Sequence, residues 1–421
     1  MCWLDSELVA CEKKSDNCIV NQIILFVTWE LAMLQFELTE DQRMMLDTVK
    51  RVRKDVIEPN AKRWLDGEFP YENMDALAEI GILGMAVPEE YGGIGASVLD
   101  TVLVLEEIAK GCYVTAMAVL GEVGTQCRIL SHYGSDELRE KYLPKLLKGK
   151  CILAICMTEP DCGTDLGSMK TNASVMNDRV ILNGAKTMIS RAEEADLFVI
   201  FTRVNNAPGT KGIGCVFVEK AAKGLTADAC YHTMGGENLA DVRFEDVEVP
   251  IENLGLGEGS LRKLLGAFNT QRCLNPAICL GMAEASLEES IRFMRDRKAF
   301  GNSIGDFQGM RWKVASMLTE IEAGRSILYR AAATAEPFPN PTLAAMAKIY
   351  VNEMSIKVCS EGVQLHGGYG FLDDFAVSRN YRGVRYGTLG GGTTETLRNF
   401  VGRELVERMD LETGVAGMGL F

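Results

Sequence analysis

The apolar residues of this chain change their spacing twice, and those two changes limit the folds open to it. Between Cys151 and Gly255 they fall in short β-rich runs: Ala173–Met176, Val180–Leu182, Leu197–Phe201, Ile213–Val218 and Val242–Val249. Asn177-Asp178, between the first two runs, is a turn pair that closes a hairpin. No helix-length segment separates the runs, so the sheet is expected to be antiparallel. On either side the spacing is helical. Thr39 with Gln42 forms a capping-box signature, and Met45, Val49, Val52 and Val56 follow on one stripe of a helix expected to end before Pro59. Helical spacing continues through Met74–Ile82 and Leu99–Ile108 to about Leu147. Past Leu256, the segments Met282–Arg297, Asp306–Ala335 and Pro341–Leu365 read as long helices. The cluster Pro337, Pro339, Pro341 stops the second and Gly367-Gly368 the third. The expected fold class is therefore α+β. Residues 36–150 make an N-terminal α-helical domain, 151–256 a middle antiparallel β domain, and 257–410 a C-terminal α-helical bundle. Residues 1–35 lack the net positive start of a secretory signal and are read as a non-structural extension, with 411–421 as a tail.

Composition removes several function classes. Forty-four basic against 58 acidic side chains leave a net charge of −14, which lacks the basic footprint of a nucleic-acid binder. No run of about 18 apolar residues exists, so no membrane span is expected. Thirteen cysteines are scattered without a C-x-x-C pair, which speaks against a zinc ribbon or a thioredoxin-like centre and for buried, reduced thiols in a cytoplasmic protein. Three histidines argue against a histidine-built metal site, and no metal is expected. There is no G-x-S-x-G elbow for a serine nucleophile.

Five short segments carry the chemistry. Met157-Thr158-Glu159-Pro160-Asp161-Cys162-Gly163-Thr164-Asp165 follows a strand and can present N–H groups and hydroxyls to a polar ligand edge, though a plain turn has the same composition. Lys186-Thr187-Met188-Ile189-Ser190 ends a strand. Arg297-Lys298-Ala299-Phe300-Gly301 closes a helix shortly before Gln308. An arginine there suits bidentate phosphate binding, or is simply a surface residue. Gln364-Leu365-His366-Gly367-Gly368-Tyr369-Gly370-Phe371 is a helix stop whose glycines permit close backbone approach. Gly390-Gly391-Gly392-Thr393 runs directly into a helix, aiming free N–H groups and a positive dipole end at a thioester oxygen or a phosphate.

In this order and spacing, the five segments resemble the acyl-CoA dehydrogenase family, over Phe36 to Met409. The resemblance implies an N-terminal α-helical domain, a middle β domain and a C-terminal four-helix bundle. It implies FAD bound in extended form at a dimer interface within a homotetramer, an acyl-CoA substrate, and electron-transferring flavoprotein as electron partner. Met157, Thr158, Gly163 and Thr164, with Met188 and Ser190, would flank the flavin ring; Met188 stands where many relatives carry an aromatic residue. Arg297, Phe300 and Gln308 would hold the pyrophosphate and adenosine side, together with Gln364, Gly367 and Gly368 of a neighbouring subunit. Thr393 and Glu395 would border FAD. Arg272 and Arg398 would lie near CoA, and Glu122 would line the substrate pocket.

The same resemblance implies a catalytic glutamate at one of two places, and this chain has Gly391 at one and Gln271 at the other. A glutamine amide does not take up a proton at neutral pH, and general-base assistance is worth roughly 10²–10⁴ in rate. The backbone N–H of Gly391, which the resemblance makes a donor to the thioester carbonyl, survives loss of the side chain. Three readings follow: an FAD-dependent oxidoreductase at the Cα–Cβ bond of an acyl-CoA, a redox-neutral elimination, or a non-catalytic flavin- or CoA-binding subunit. The 3-sulfinopropanoyl-CoA desulfinases, which carry out such an elimination, are similar around Asn269–Arg272 and Gly391–Leu397. However, the stretch Tyr113–Gly124 has no arginine or lysine to hold a sulfinate. Enoyl-CoA reductases of the family place a glutamate where Gln271 stands. Glu122 and Glu395 are the candidate relocated bases, and Cys273 is read as a buried thiol.

Overall fold

Thr39 caps the first helix as the spacing predicts: its N–H donates to Gln42 Oε1 at 3.0 Å and its hydroxyl accepts from the Gln42 N–H at 3.2 Å. The computed structural model describes residues 37–414 and Met418, so the extension expected over residues 1–35 lies outside the described residues. The chain divides into a unit ending at Met45 and a large one, Leu46–Phe421. Helix α1 (Glu40–Val52) does not stop short of Pro59. It runs on as a π-helical turn over Arg53–Ile57 and a short turn at Glu58–Asn60, where Pro59 opens a new segment and loses no hydrogen bond for want of an N–H.

The N-terminal helical domain continues with α2 (Tyr71–Glu79), α3 (Val98–Gly111), α4 (Tyr113–Val119), α5 (Thr125–Tyr133) and α6 (Asp136–Leu146). Ser97 caps α3 in a capping box with Asp100. This helix is apolar nearly all round and is buried along most of its length, as such a pattern requires. Its two central carboxylates are also buried and paired, Glu106 across to the C-terminal domain and Glu107 within its own. Glu106 accepts from Arg325 Nη2 and from the Tyr329 hydroxyl, each at 2.8 Å, and Glu107 accepts from Arg53 Nε at 2.8 Å. Lys110 reaches Glu284 at 2.7 Å.

The middle domain contains β1 (Leu153–Cys156), β2 (Asn172–Val175), β3 (Arg179–Ser190), β4 (Leu197–Val204), β5 (Ile213–Glu219), β6 (Leu225–His232), β7 (Asn238–Pro250) and β8 (Leu254–Leu256). The order is β6-β7-β3-β2-β4-β5-β8, with β1 also on β4. The expected hairpin forms, with Ala173 opposite Leu182. The wholly antiparallel expectation is corrected at two pairs: β1 and β2 both run parallel to β4. A loop leads out of β1 and the returning strand β3 carries the chain back, so a parallel pair arises without a helical crossover. Alternate residues of β4 serve two cores. Leu197, Val199 and Phe201 pack with Leu130, Tyr142 and Leu143 of α5 and α6, while Phe198 and Ile200 pack with Val180, Leu182, Val242 and Phe244 of the sheet.

The C-terminal helical domain holds α7 (Leu261–Phe268), α8 (Gln271–Asp296), α9 (Gln308–Ala333), α10 (Pro341–His366), α11 (Ala376–Val384) and α12 (Thr394–Arg408). Helix α8 starts well before Met282 and carries Pro276 inside it. Asn340 Oδ1 caps α10 by accepting from the Thr342 and Leu343 N–H groups. Helices α8, α9 and α10 pack on one another, α3 packs on α8, and α11 and α12 pack on α10. No helix among the described residues is long and apolar enough to cross a membrane.

Glu106 therefore ties the two helical domains through a buried ion pair. Glu106→Ala leaves Arg325 without that partner and is expected to lower unfolding free energy by about 3–5 kcal/mol, measured by urea denaturation. A loss below about 1 kcal/mol, the level of a surface pair, would refute this role.

Candidate functional site

Two of the five segments are joined by one buried ion pair. Lys186, on β3, has no exposed surface; its ammonium donates to Met157 O at 3.0 Å and to Glu159 Oε1 at 2.8 Å. Glu159 also accepts from the backbone N–H groups of Lys170 at 2.6 Å and Thr171 at 3.0 Å, and the Thr187 N–H donates to Thr158 O at 3.0 Å. Burial alone would raise the Glu159 carboxyl, but Lys186 and these donors hold it below its ordinary value of 4.5. The loop carrying Met157, Thr158, Gly163 and Thr164 is thus fastened to the strand end carrying Met188 and Ser190. Met188 has φ +57° at a break in the β3–β7 register, and about half of its surface is exposed, at 51%.

A third and a fourth segment meet in a groove at the far end of α8. It is lined by Phe293, Arg297, Ile304, Gln364, Gly367 and Gly368 among others, so Arg297 and the Gln364–Gly368 turn come together within one chain. The floor is firm, because the Phe293 and His366 rings stack at 4.5 Å between centroids. Phe300 projects from the neighbouring hairpin almost wholly exposed, at 94%, with φ +53°, and Gln308 begins α9. At Gly163, Gly367 and Gly368 an added Cβ would meet nothing within 4 Å, which leaves these backbones open to a ligand. A guanidinium for pyrophosphate, an exposed phenyl ring and two open glycine turns fit the dinucleotide half of FAD, and the pinned Met157–Ser190 platform fits its ring.

The fifth segment builds the corner around Gly391. Thr393 caps α12, its hydroxyl accepting from the Thr396 N–H at 3.2 Å, and Glu395 is exposed in the first turn. Gly391 and Gly392 have φ +74° and +93°, a left-handed backbone that suits glycine. A Cβ placed on Gly391 would lie 3.6 Å from Gln271 Cγ and 3.4 Å from Lys348 Cε. The two positions singled out as base sites, remote in sequence, therefore adjoin. Gln271 is buried at the start of α8. Next to it, Arg272 donates to Asn269 Oδ1 at 2.8 Å, leaves its Nε without a partner and is pulled down in pKa by burial. Cys273 is fully buried, and burial pushes its thiol up to about 12, so it is no ready nucleophile. Lys348, on α10, is buried and donates to Gly387 O at 2.8 Å and Gly392 O at 2.9 Å; burial holds its ammonium down to about 8.

Two expected substrate contacts have other partners. Glu122 is fully buried, accepting from the Leu153 N–H at 2.8 Å and from Arg191 at 3.1 Å, so it ties α5's approach to the sheet rather than facing a ligand. Arg398 is half exposed and forks onto Glu353, with Nη2 to Oε2 at 2.6 Å. The sequence reading missed three residues at this corner. The Tyr386 ring occupies the space that a side chain on Gly390 would need, and it lies 6.5 Å from the Tyr113 ring. The Tyr113 hydroxyl donates at 2.8 Å to Glu237, a carboxyl raised by burial. Lys348 is the third. A lysine inside the apolar run Ala344–Ile349 was the available signal, because a buried cation needs a partner.

The chain is thus helical, then β, then helical, with a glycine turn leading into α12 and a pinned loop in the middle domain. The comparisons narrow this. Family models for acyl-CoA dehydrogenase match the N-terminal domain at residues 39–150, the middle domain at 154–247 and the C-terminal domain at 261–406, and the chain belongs to the acyl-CoA dehydrogenase family. Members of this family are FAD-binding oxidoreductases. The chain is 34% identical over 346 residues to the CarC subunit of the caffeyl-CoA reductase-Etf complex of Acetobacterium woodii, covering 81% of this chain and 91% of that one. It is 33% identical over 353 residues to 3-sulfinopropanoyl-CoA desulfinase of Cupriavidus necator, covering 80% and 88%. The butyryl-CoA dehydrogenase structure from Megasphaera elsdenii superposes with a TM-score of 0.84 at 30% identity, covering 89% of this chain and 100% of that one.

The Glu159 carboxyl, lowered in the folded state, contributes stability that is present above 4.5 and disappears as pH falls through its folded value. Glu159→Gln is expected to flatten the fall of unfolding free energy across that acid range and to lower FAD content after purification. An acid limb as steep as that of wild type would contradict the pairing.

Proposed function

We propose that this protein is an FAD-dependent oxidoreductase acting at the Cα–Cβ bond of a CoA thioester, with no carboxylate at either of the two family positions for the base. The observation that carries the reading is the contact between Gly391 and Gln271: both positions face one spot, and neither side chain can take a proton there. The Gly391 N–H is the donor for the thioester oxygen, where charge develops when Cα becomes carbanion-like. Met157, Thr158, Gly163, Thr164, Met188 and Ser190 hold the flavin ring. Arg297, Phe300 and Gln308 hold its dinucleotide arm together with Gln364, Gly367 and Gly368 of a neighbouring subunit, and Thr393 and Glu395 border it. FAD held there would supply hydride exchange at Cβ, with the accompanying Cα proton passing to or from solvent water. Arg272 is the cation offered to CoA, and its unpartnered Nε supports this. The reading extends to a homotetramer, to electron-transferring flavoprotein as partner in the manner of the caffeyl-CoA reductase relative, and to the cytoplasm, which suits buried free thiols such as Cys127, Cys156 and Cys279.

The desulfinase relative favours a second reading, redox-neutral elimination, because that chemistry reaches the α-carbanion without α-deprotonation. Arg191 does lie along the Tyr113–Gly124 stretch, but its guanidinium is engaged by Ala118 O and Glu122. Anaerobic addition of acyl-CoA thioesters to the holoprotein separates the readings: bleaching of the flavin band supports oxidoreduction, product without bleaching supports elimination, and CoA binding with neither supports a non-catalytic subunit. Gln271→Glu is expected to raise the dehydrogenation rate by about 10²-fold, the low end of general-base assistance. No gain over wild type would count against the placement of the base.

A further inference from the structure

Lys348 lies directly against the Gly391 corner and has no exposed surface. Its two acceptors, Gly387 O and Gly392 O, bracket Gly391 in the chain. Its Cε stands 3.4 Å from the point where a side chain at 391 would begin. Among the described residues it forms no ion pair, although buried ammonium groups ordinarily have a carboxylate. The titratable groups facing it are the Cys279 thiol and Arg272 from α8 and Glu395 from α12. The thiol is pushed up to about 12 by burial, and Arg272 opposes the charge on Lys348. Glu395 is the one facing carboxylate and, among the described residues, forms no ion pair with Lys348, so the positive charge beside the Gly391 backbone is held directly by two carbonyls.

We propose that Lys348 is the positioning residue of the thioester-carbonyl site: it clamps the carbonyls on both sides of Gly391, fixes that residue's N–H, and supplies the positive field toward which the substrate oxygen is polarised. This rests on the reading that the Gly391 N–H binds an acyl-CoA carbonyl. No bond to Lys348 forms or breaks. Losing its proton leaves the amine two N–H donors for its two carbonyls, so the loop keeps its shape while the field disappears. Polarisation of the carbonyl should therefore titrate, whereas thioester binding should change far less.

The test is infrared difference spectroscopy of crotonyl-CoA, carbon-13 labelled at C1, bound to FAD-loaded protein, with its dissociation constant measured in parallel. Wild type is expected to lower the carbonyl stretch well below pH 8 and to lose most of that shift well above it. Lys348→Met is expected to show little shift at any pH, with binding weakened by less than about tenfold, since the contacts to CoA remain. A full, pH-independent shift in wild type, or an undiminished shift in Lys348→Met, overturns the role of Lys348 and leaves the acyl-CoA reading standing. Absence of crotonyl-CoA binding, or an unshifted stretch in wild type at low pH, sinks the underlying reading and the inference with it. If Lys348→Met does not fold, Lys348→Gln and the wild-type pH series decide.

Discussion

Glu106 lies on a mostly apolar, buried helix, yet its carboxylate accepts from Arg325 and Tyr329 of a helix more than two hundred residues later in the chain. Removing a charge from water is costly, and only a well-placed partner offsets it. Such a pair stabilises the fold weakly but tolerates few alternatives, so it fixes register. Lys110 with Glu284 on α8 repeats the arrangement along α3, and Arg325 of α9 also reaches Glu284. Apolar packing brings α3, α8 and α9 together, and these ion pairs select one way of seating them. Because α8 begins at Gln271, seating α8 also seats the corner around Gly391.

The same physics recurs in the middle domain. Lys186 and Glu159 are buried together, and between them they take up two strand-end contacts and two backbone N–H groups. A loop rich in Pro, Asp and Gly would otherwise be free to move. Here it presents Gly163 to open space while its root is fixed. Glu122 and Arg191 do likewise for the approach to β1. Buried charge in this chain mostly has a structural partner, which makes unpaired Lys348 stand out.

Much of this was legible in residue order. The switch of spacing at Cys151 and again near Leu256 marks the three domains, and Thr39 with Gln42 marks the first cap. Gly390–Thr393 and Gln364–Gly368 mark a helix start and a helix stop, where glycine accepts the left-handed backbone at Gly391 and Gly367. Parallel pairing of β1 and β2 with β4 was not legible, since spacing within a strand carries no record of its neighbour's direction. Nor was the employment of Glu122. A carboxylate in an apolar stretch reads as functional until its partner is known, and that partner, Arg191, is distant in sequence. The contact of Gly391 with Gln271 was legible only as two separate positions, and Tyr386 filling the space beside Gly390 was not legible at all.

What distinguishes this site from an ordinary thioester dehydrogenase is the division between its two halves. On the function proposed above, the half that polarises a carbonyl is built from backbone and a buried cation, while the half that would accept a proton is an amide beside a glycine. A protein of this kind should stabilise charge on a substrate carbonyl and yet be slow to remove a proton from the adjacent carbon. Exchange of the C2 hydrogens of a bound saturated acyl-CoA in deuterium oxide, followed by proton NMR, measures that removal directly. The account expects the unaltered protein to exchange these hydrogens about 10²-fold more slowly than Gln271→Glu. Rapid, stereospecific exchange by the unaltered protein would contradict it, and would point to Glu237 or another carboxylate as the base.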